Sequence, residues 1–350
     1  MNKLRKKLGL TVLCASLLVL APSFVKAASY GSCDPCNTCN PCECCDPCDC
    51  WGDFEFGADF LYWKPCVDDL DYAAEESSVN KHFKYRCICP EWEPGFRVYF
   101  GMPDFYCDWG LSASWTYIES DDSGSVKDVN DVLGILLHPH TLTQHSTTDA
   151  FDEAKAHWDA DYHEWEVLFS TDLSCKECHH FMPFFGVAGI FLDQCFSCDY
   201  YDGNTKTFKA HWDSDLWGVG FRAGTEYQYR FSECLSFFTK AAGTILYSEA
   251  DNKHKSESVS YSAYNVTAKD DDCCHLIPGW HLGTGFTYDT CYCDWDFSFR
   301  LGYEFLQWCN IPNHRNFGSS DDAAGHAHAS SNSLRTFGFH GLFAGLGVSF

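Results

Sequence analysis

Apolar and polar residues alternate singly along most of the chain, the period-two signature of strands with one apolar face. Phe54, Phe56, Ala58, Phe60 and Tyr62 share one row, and Glu55, Gly57, Asp59 and Leu61 share the other. The pattern returns at Trp109, Leu111, Ala113, Trp115 and Tyr117, and at Trp217, Val219, Phe221, Ala223, Thr225 and Tyr227. Trp295, Phe297, Phe299, Leu301, Tyr303 and Phe305 repeat it once more. Segments 92–102, 157–169, 181–192, 235–248, 276–288 and 334–350 read similarly, with either phase admissible at 157–169 and 181–192. Together these runs predict ten strands.

Length and row composition decide what the apolar row faces. The runs reach about 11 residues or more, the span of a tilted strand crossing a bilayer, whereas globular strands average about 5–6. The second row is small or charged, which suits a polar barrel interior. Aromatic residues such as Tyr62, Trp92, Trp109, Tyr117, Trp280 and Trp295 gather near strand ends, where amphipathic rings favour membrane interfaces. The connections fall at 65–91, 103–108, 120–156, 170–180, 193–211, 230–234, 249–275, 289–294 and 309–333. They alternate long and short, as external loops and periplasmic turns do in outer-membrane barrels. The expected fold is an all-β, transmembrane, antiparallel up-and-down barrel of about ten strands. Patches at His82–Ile88, Val132–Leu137 and Val259–Val266 leave open a 12–16-stranded alternative.

The first residues break the alternation. Lys3, Arg5, Lys6 and Lys7 precede the apolar run Leu8 to Ala21, and Val25-Lys26-Ala27 offers a small-residue cleavage site. Residues 1–27 therefore read as an export signal, removed before folding. Residues 28–50 form a cysteine- and proline-rich periplasmic tail, and 51–350 the barrel. The tail repeats a hexapeptide: Cys33-Asp-Pro-Cys36-Asn-Thr, Cys39-Asn-Pro-Cys42-Glu-Cys44, Cys45-Asp-Pro-Cys48-Asp-Cys50. Twenty-three cysteines fit an oxidising compartment. A net charge of -25 leaves no basic stripe for phosphate neutralisation and argues against nucleic-acid binding.

Phe54-Glu-Phe-Gly-Ala-Asp-Phe-Leu-Tyr-Trp-Lys-Pro65 resembles the opening strand of the major-outer-membrane-protein-like family of chlamydia-related bacteria and the related Legionella pore-forming family. Pro183-Phe-Phe-Gly186, Trp217-Gly-Val-Gly-Phe-Arg-Ala-Gly224, Leu301-Gly-Tyr-Glu304 and the closing Gly341–Phe350 strand are similar too, so the likeness covers roughly residues 51–350. The resemblance implies a porin or surface protein in a cysteine-cross-linked envelope. The Cys-Asp-Pro-Cys repeat lies outside it.

Several constellations could carry other chemistry. Cys175-Lys-Glu-Cys178 and Cys195-Phe-Ser-Cys198 have the spacing of a zinc site, but a spanning strand between them would hold the pairs about 30 Å apart. Each pair is expected to bridge locally or to a neighbour. Asp159, Asp161, His157 and His163 invite comparison with ten-stranded omptin-like proteases, yet no second Asp pair accompanies them. His138, His140, His326 and His328, on long loops, read as solvated. No catalytic residue, metal or cofactor is assigned. On the periplasmic side, Cys33, Cys36, Cys39, Cys42, Cys44, Cys45, Cys48, Cys50, Cys107, Cys175, Cys178, Cys234, Cys291 and Cys293 are candidates for disulfide cross-links. Residues two or three apart around an extended proline meet disulfide geometry poorly, which favours bonds to other segments or chains.

Glu55, Asp59, Arg97, Arg222, Glu226, Arg300 and Glu304 fall in the inward row, where charges must pair or meet water. Ten strands predict a narrow or plugged lumen, since about eight are already filled by side chains and about 16–18 leave a channel. An acidic mouth built from Asp68, Asp69, Asp71, Glu75, Glu76 and Asp270 to Asp272 would concentrate cations. Leu346, Val348 and Phe350 read as the signal for the barrel-assembly machinery. The expected function is a cation-favouring outer-membrane porin that is also a disulfide-linked envelope component. The alternative is a closed barrel acting as a surface adhesin or structural protein. Expected partners are outer-membrane lipid, the assembly machinery, small ions and solutes, other cysteine-rich envelope proteins or a second copy, and a host surface.

Overall fold

The computed structural model describes residues 54–77, 82–106, 109–127, 136–137, 151–173, 178–232, 234–259, 265–292, 295–318 and 329–350. The leader, the cysteine repeat and the loop histidines His138, His140, His326 and His328 lie outside them, as do Cys107, Cys175 and Cys293. Thirteen strands follow in order: β1 Glu55–Val67, β2 Asp71–Ser77, β3 His82–Cys87, β4 Glu93–Tyr106, β5 Trp109–Lys127, β6 Leu136–Leu137, β7 Glu153–Thr171, β8 His179–Asp202, β9 Thr205–Arg230, β10 Leu235–Ser258, β11 Val266–Tyr292, β12 Trp295–Gly318 and β13 Ala329–Ser349. Ten of them close into one antiparallel barrel, in the order β1-β13-β12-β11-β10-β9-β8-β7-β5-β4. The fold is the expected ten-stranded one. The 12–16-stranded alternative is corrected: His82–Cys87 and Leu136–Leu137 do form strands, but they pair with β2 in a separate three-stranded sheet.

The rows fall as the alternation requires. Phe56, Phe60 and Tyr62 point out of the barrel wall, while Asp59, Leu61 and Trp63 are buried inside it. Phe221, Ile245, Leu282 and Leu301 lie outward at mid-height, Phe221 with 78% of its surface exposed. Aromatic residues bound this apolar belt on both sides. Phe54, Phe56, Phe100, Trp295 and Phe350 cluster near the rim that carries the chain ends. Tyr62 stacks on Trp92 at the other margin.

The strands are longer than the sequence pattern suggests. The expected loops at 193–211 and 249–275 are instead largely the upper halves of the β8–β9 and β10–β11 hairpins. A 24-residue strand tilted about 45° rises roughly 55 Å along the barrel axis, against an apolar band about 25 Å tall. The upper barrel therefore stands clear of the belt. The period of two continues without a break, but the rows exchange polarity. Lower β9 sends Trp217, Val219 and Phe221 outward, while upper β9 sends Asp215, Asp213 and His211 outward and buries Leu216, Trp212 and Phe208. Upper β7 and β8 do likewise, burying Trp158, Ala160, Leu192 and Phe196.

Position in this scheme sets the cost of a charge. Phe221→Arg is expected to destabilise the folded barrel by about 2–4 kcal/mol, the depth-dependent cost of Arg on a lipid face. Asp251→Arg, on the upper wall, is expected to stay within roughly 0.5 kcal/mol of the parent. Reversible urea unfolding in lipid vesicles, followed by tryptophan fluorescence, measures both.

Candidate functional site

The lumen holds two stacked layers, a charged one level with the belt and an aromatic one above it. In the lower layer Arg97 of β4 donates from Nη1 to Asp59 Oδ2 at 3.2 Å and from Nη2 to Glu304 Oε1 at 3.0 Å. Its Nε donates to Thr116 Oγ1 at 3.1 Å. His281 Nε2 lies 2.8 Å from the other Glu304 oxygen. Arg222 of β9 donates to Glu164 and, at 2.5 Å, to Glu166, both on β7, and its Nε reaches Thr244 at 2.8 Å. Arg300 bonds Glu226 at 3.4 Å. Buried charges need such partners, and here each arginine finds at least one on a strand two or three places away in the ring.

All seven charged residues expected in the inward row are therefore in it, Glu55 included. The pattern missed Glu164 and Glu166 because the phase of 157–169 is ambiguous in sequence. It also missed His281 and Lys240, which extend the network. Tyr99 lies over Gly57, where an added Cβ would sit 2.1 Å from its ring, so the small inward residue makes room for a large neighbour. Asp59 Oδ1, Tyr99 Oη and His281 Nδ1 have no protein partner, which marks places for internal water.

The upper layer packs aromatic side chains across the lumen. Trp63, Trp158, Tyr162, Trp308, Phe337 and Phe339 are essentially inaccessible. Trp308 Nε1 donates to Tyr162 Oη at 2.9 Å, and these residues stand on β12 and β7, five strands apart in a ring of ten. The bond therefore crosses the full diameter. Tyr162 also packs on Phe339 at 5.1 Å, and Phe339 on Trp63 at 5.5 Å. Above them Tyr72 of β2 is buried, its carbonyl accepting from Tyr200 Oη at 2.5 Å, so the first loop's sheet folds into the mouth. Of the expected acidic mouth, Asp68 bonds Thr336 and Asp69 pairs with Arg335 at 2.5 Å, which ties β1 to β13.

The outer surface above the belt is acidic and in strict register. Glu119, Asp161, Asp193, Asp215 and Asp251 oppose one another across five successive strands. Directly opposed like charges repel. One step higher run Asp121, Asp159, Cys195, Asp213 and Lys253, and then Ser123, His157, Ser197, His211 and Lys255. The Asp161 carboxyl is raised by burial and by Glu119. Burial, Asp159 and Asp213 push the Cys195 thiol up to about 12. An open groove of about 400 Å³ beside them is lined by Ser123, Ser125, Lys155, His157, Ser197 and Asp199.

This register corrects the expectation of a local bridge within the second cysteine pair. Cys195 and Cys198 do not bridge each other: three residues apart on a strand, they face opposite sides of the wall, and Cys198 is buried inside. His157, Asp159, Asp161 and His163 line the outer wall rather than a cleft, His163 stacking on Trp115. Cys178, Cys234 and Cys291 lie at the rim of the chain ends, where the Cys178 and Cys234 carbonyls accept from the backbone N–H groups of Arg230 and Asp289. Leu346, Val348 and Phe350 sit on or beside β13, with Leu346 and Phe350 exposed outward.

With this geometry in hand, residues 46–350 match the family described as Legionella pneumophila major outer membrane protein precursor. Among solved structures, the outer membrane protease OmpT from Escherichia coli shares 9% identity, covering 85% of this chain and 97% of that chain at a TM-score of 0.46. Ail, the attachment invasion locus protein of Yersinia pestis, shares 10% over 85% and 99%, with a TM-score of 0.25. A Pseudomonas aeruginosa FadL homologue shares 8% over 85% and 90%, at 0.24. No curated protein matches the chain.

Two outcomes follow from the charges. Replacing Arg222 by Met strands Glu164 and Glu166, an expected loss of about 3–5 kcal/mol, and adding Glu164→Gln and Glu166→Gln should recover much of it. Because the Asp161 pKa is raised, its charged form opposes folding above that pKa and the penalty vanishes as the pH falls through it. Asp161→Asn should therefore stabilise the barrel by about 0.2–1 kcal/mol at pH 7, with no gain in acid. Parallel unfolding curves at both pH values check this.

Proposed function

Since the chain belongs to the Legionella major outer membrane protein family, we propose that it serves in the outer membrane as a closed barrel, a surface and envelope component rather than an open diffusion pore. The observation that carries this reading is the Trp308–Tyr162 bond across the lumen, set in a layer of inaccessible aromatic rings. Exported through residues 1–27 and recognised for assembly through Leu346, Val348 and Phe350, the barrel keeps its chain ends in the periplasm. The polar upper wall then faces outward and is the surface available to a host or to neighbouring molecules. Cysteines such as Cys178, Cys234 and Cys291 at the rim of the chain ends, together with the repeat Cys33 to Cys50, link the protein to other envelope chains or to its own copies.

A second reading, a cation-favouring porin, draws support from the lower lumen. Its charges and its unpartnered Asp59, Tyr99 and His281 atoms suit a hydrated path. Ions could use that path only if the aromatic layer opened.

Planar-bilayer recordings separate the two. The folded parent should be silent under a salt gradient, with or without dithiothreitol, whereas Trp158→Ala/Trp308→Ala should give conductance steps. Stable cation-selective steps from the parent would establish the porin reading instead. For the cross-linking part, oxidised envelopes should yield oligomers on a non-reducing gel that weaken when 33–50 are deleted; monomer alone would remove it.

A further inference from the structure

The upper wall carries a set of side chains that neither the lumen nor the envelope role uses. Cys195 of β8 and Asp213 of β9 are direct cross-strand partners, and His211 follows on the same outward row. One ligand atom from each of the three lies within 4.8 Å of the others. Cys195 Sγ is 3.9 Å from His211 Nδ1, and His211 Nε2 is 2.8 Å from Asp213 Oδ1. In a tetrahedral zinc site, sulfur and nitrogen ligands at about 2.3 and 2.0–2.1 Å from the metal stand about 3.6 Å apart. The Cys195 Sγ–His211 Nδ1 distance is near this spacing, while Asp213 meets the other ring nitrogen, so the imidazole or the carboxylate must rotate for all three to share one ion.

We propose that this wall binds one borderline divalent metal ion of the zinc class through Cys195 Sγ, the His211 imidazole and the Asp213 carboxylate. A mixed sulfur, nitrogen and oxygen set selects zinc-like ions over magnesium or calcium, which take oxygen ligands. Three protein ligands leave a fourth position open, as in exchangeable rather than closed structural sites. The adjoining groove gives that position access to water, and Asp159, the cross-strand partner of Cys195 on its other side, can orient a bound water or complete the shell. His157 lies 3.5 Å from Asp159 and 3.6 Å from Asp121, beside the carboxylate that faces Cys195. The acid ladder one register below adds a negative potential that draws a cation to the wall. None of this depends on whether the lumen conducts.

The register that builds the set is itself built. Gly203 takes φ +59° in the β8–β9 turn, and the pairing shifts by one residue between Tyr200 and Tyr201. Without that shift Cys195 would oppose Trp212 instead of Asp213.

The test uses the full-length protein, folded in detergent and kept reduced, with zinc chloride as the probe. Alkylation of the Cys195 peptide is followed by mass spectrometry, with buried Cys198 as the internal comparison. Zinc should protect Cys195, a chelator should restore its reactivity, and His211→Ala should abolish the protection. Asp213→Asn should weaken zinc affinity by more than the roughly 10–100-fold typical of losing an outer-shell partner. Cobalt(II) should give a sulfur-to-metal charge-transfer band that Cys195→Ser reduces, a readout that holds even if one variant folds poorly. Absence of protection at saturating zinc, or protection undiminished in folded His211→Ala, would overturn the site.

Discussion

Strict side-chain alternation along a hydrogen-bonded ladder is the constraint on which the rest of the structure depends. A strand that faces an apolar medium below and water above cannot turn over halfway without breaking its pairing. It can only exchange the polarity of its two rows. Strands β7 to β9 do so at one common level, where Asp161, Asp193 and Asp215 stand outward above the belt, and Asp251 of β10 continues their row. Below that level the barrel has an apolar exterior and a charged interior; above it, the arrangement of a water-soluble protein with a hydrophobic core.

The closed lumen follows from the same exchange. Upper inward positions of β7 to β9 are largely apolar, although upper β10 sends Asn252, His254 and Ser256 inward, and ten strands leave too little room for large rings from opposite walls to avoid one another. Trp158, Tyr162, Trp308 and Phe339 meet at the centre. Beneath them Arg97, Arg222 and Arg300 each join strands that are not neighbours in the sheet, so the charged layer braces the wall from within. The outward acids carry the cost of this design, a like-charge ladder offset only in part by His157, His211 and Lys253.

Much of this was legible in the sequence. The strand number and the seven inward charges followed from period two alone, because the lower barrel has the apolar-out pattern that the alternation was read against. The upper halves of β8 to β11 were hidden for the same reason: with the polarity exchanged, 193–211 and 249–275 read as polar loops. The ambiguous phase of 157–169 was the one visible trace, since β7 changes sense between Trp165 and Asp159. The patches at 82–88 and 132–137 were candidates for further barrel strands, but the place of His82–Cys87 and Leu136–Leu137 at the mouth depends on Tyr72 finding Tyr200, a contact between residues far apart in the chain. Cys195, His211 and Asp213 gave no sequence signal as a set, because a one-residue shift near a turn decides whether they meet.

The most direct measurement is a site-by-site accessibility profile along β9, with single spin labels read against oxygen and against a water-soluble nickel complex in lipid vesicles. Outward labels at 217, 219 and 221 should respond to oxygen, those at 209, 213 and 215 to nickel, and inward labels at 208, 210 and 212 to neither. Oxygen access at 213 and 215, or nickel access at 210 and 212, would contradict the exchange of rows and the closed lumen built on it.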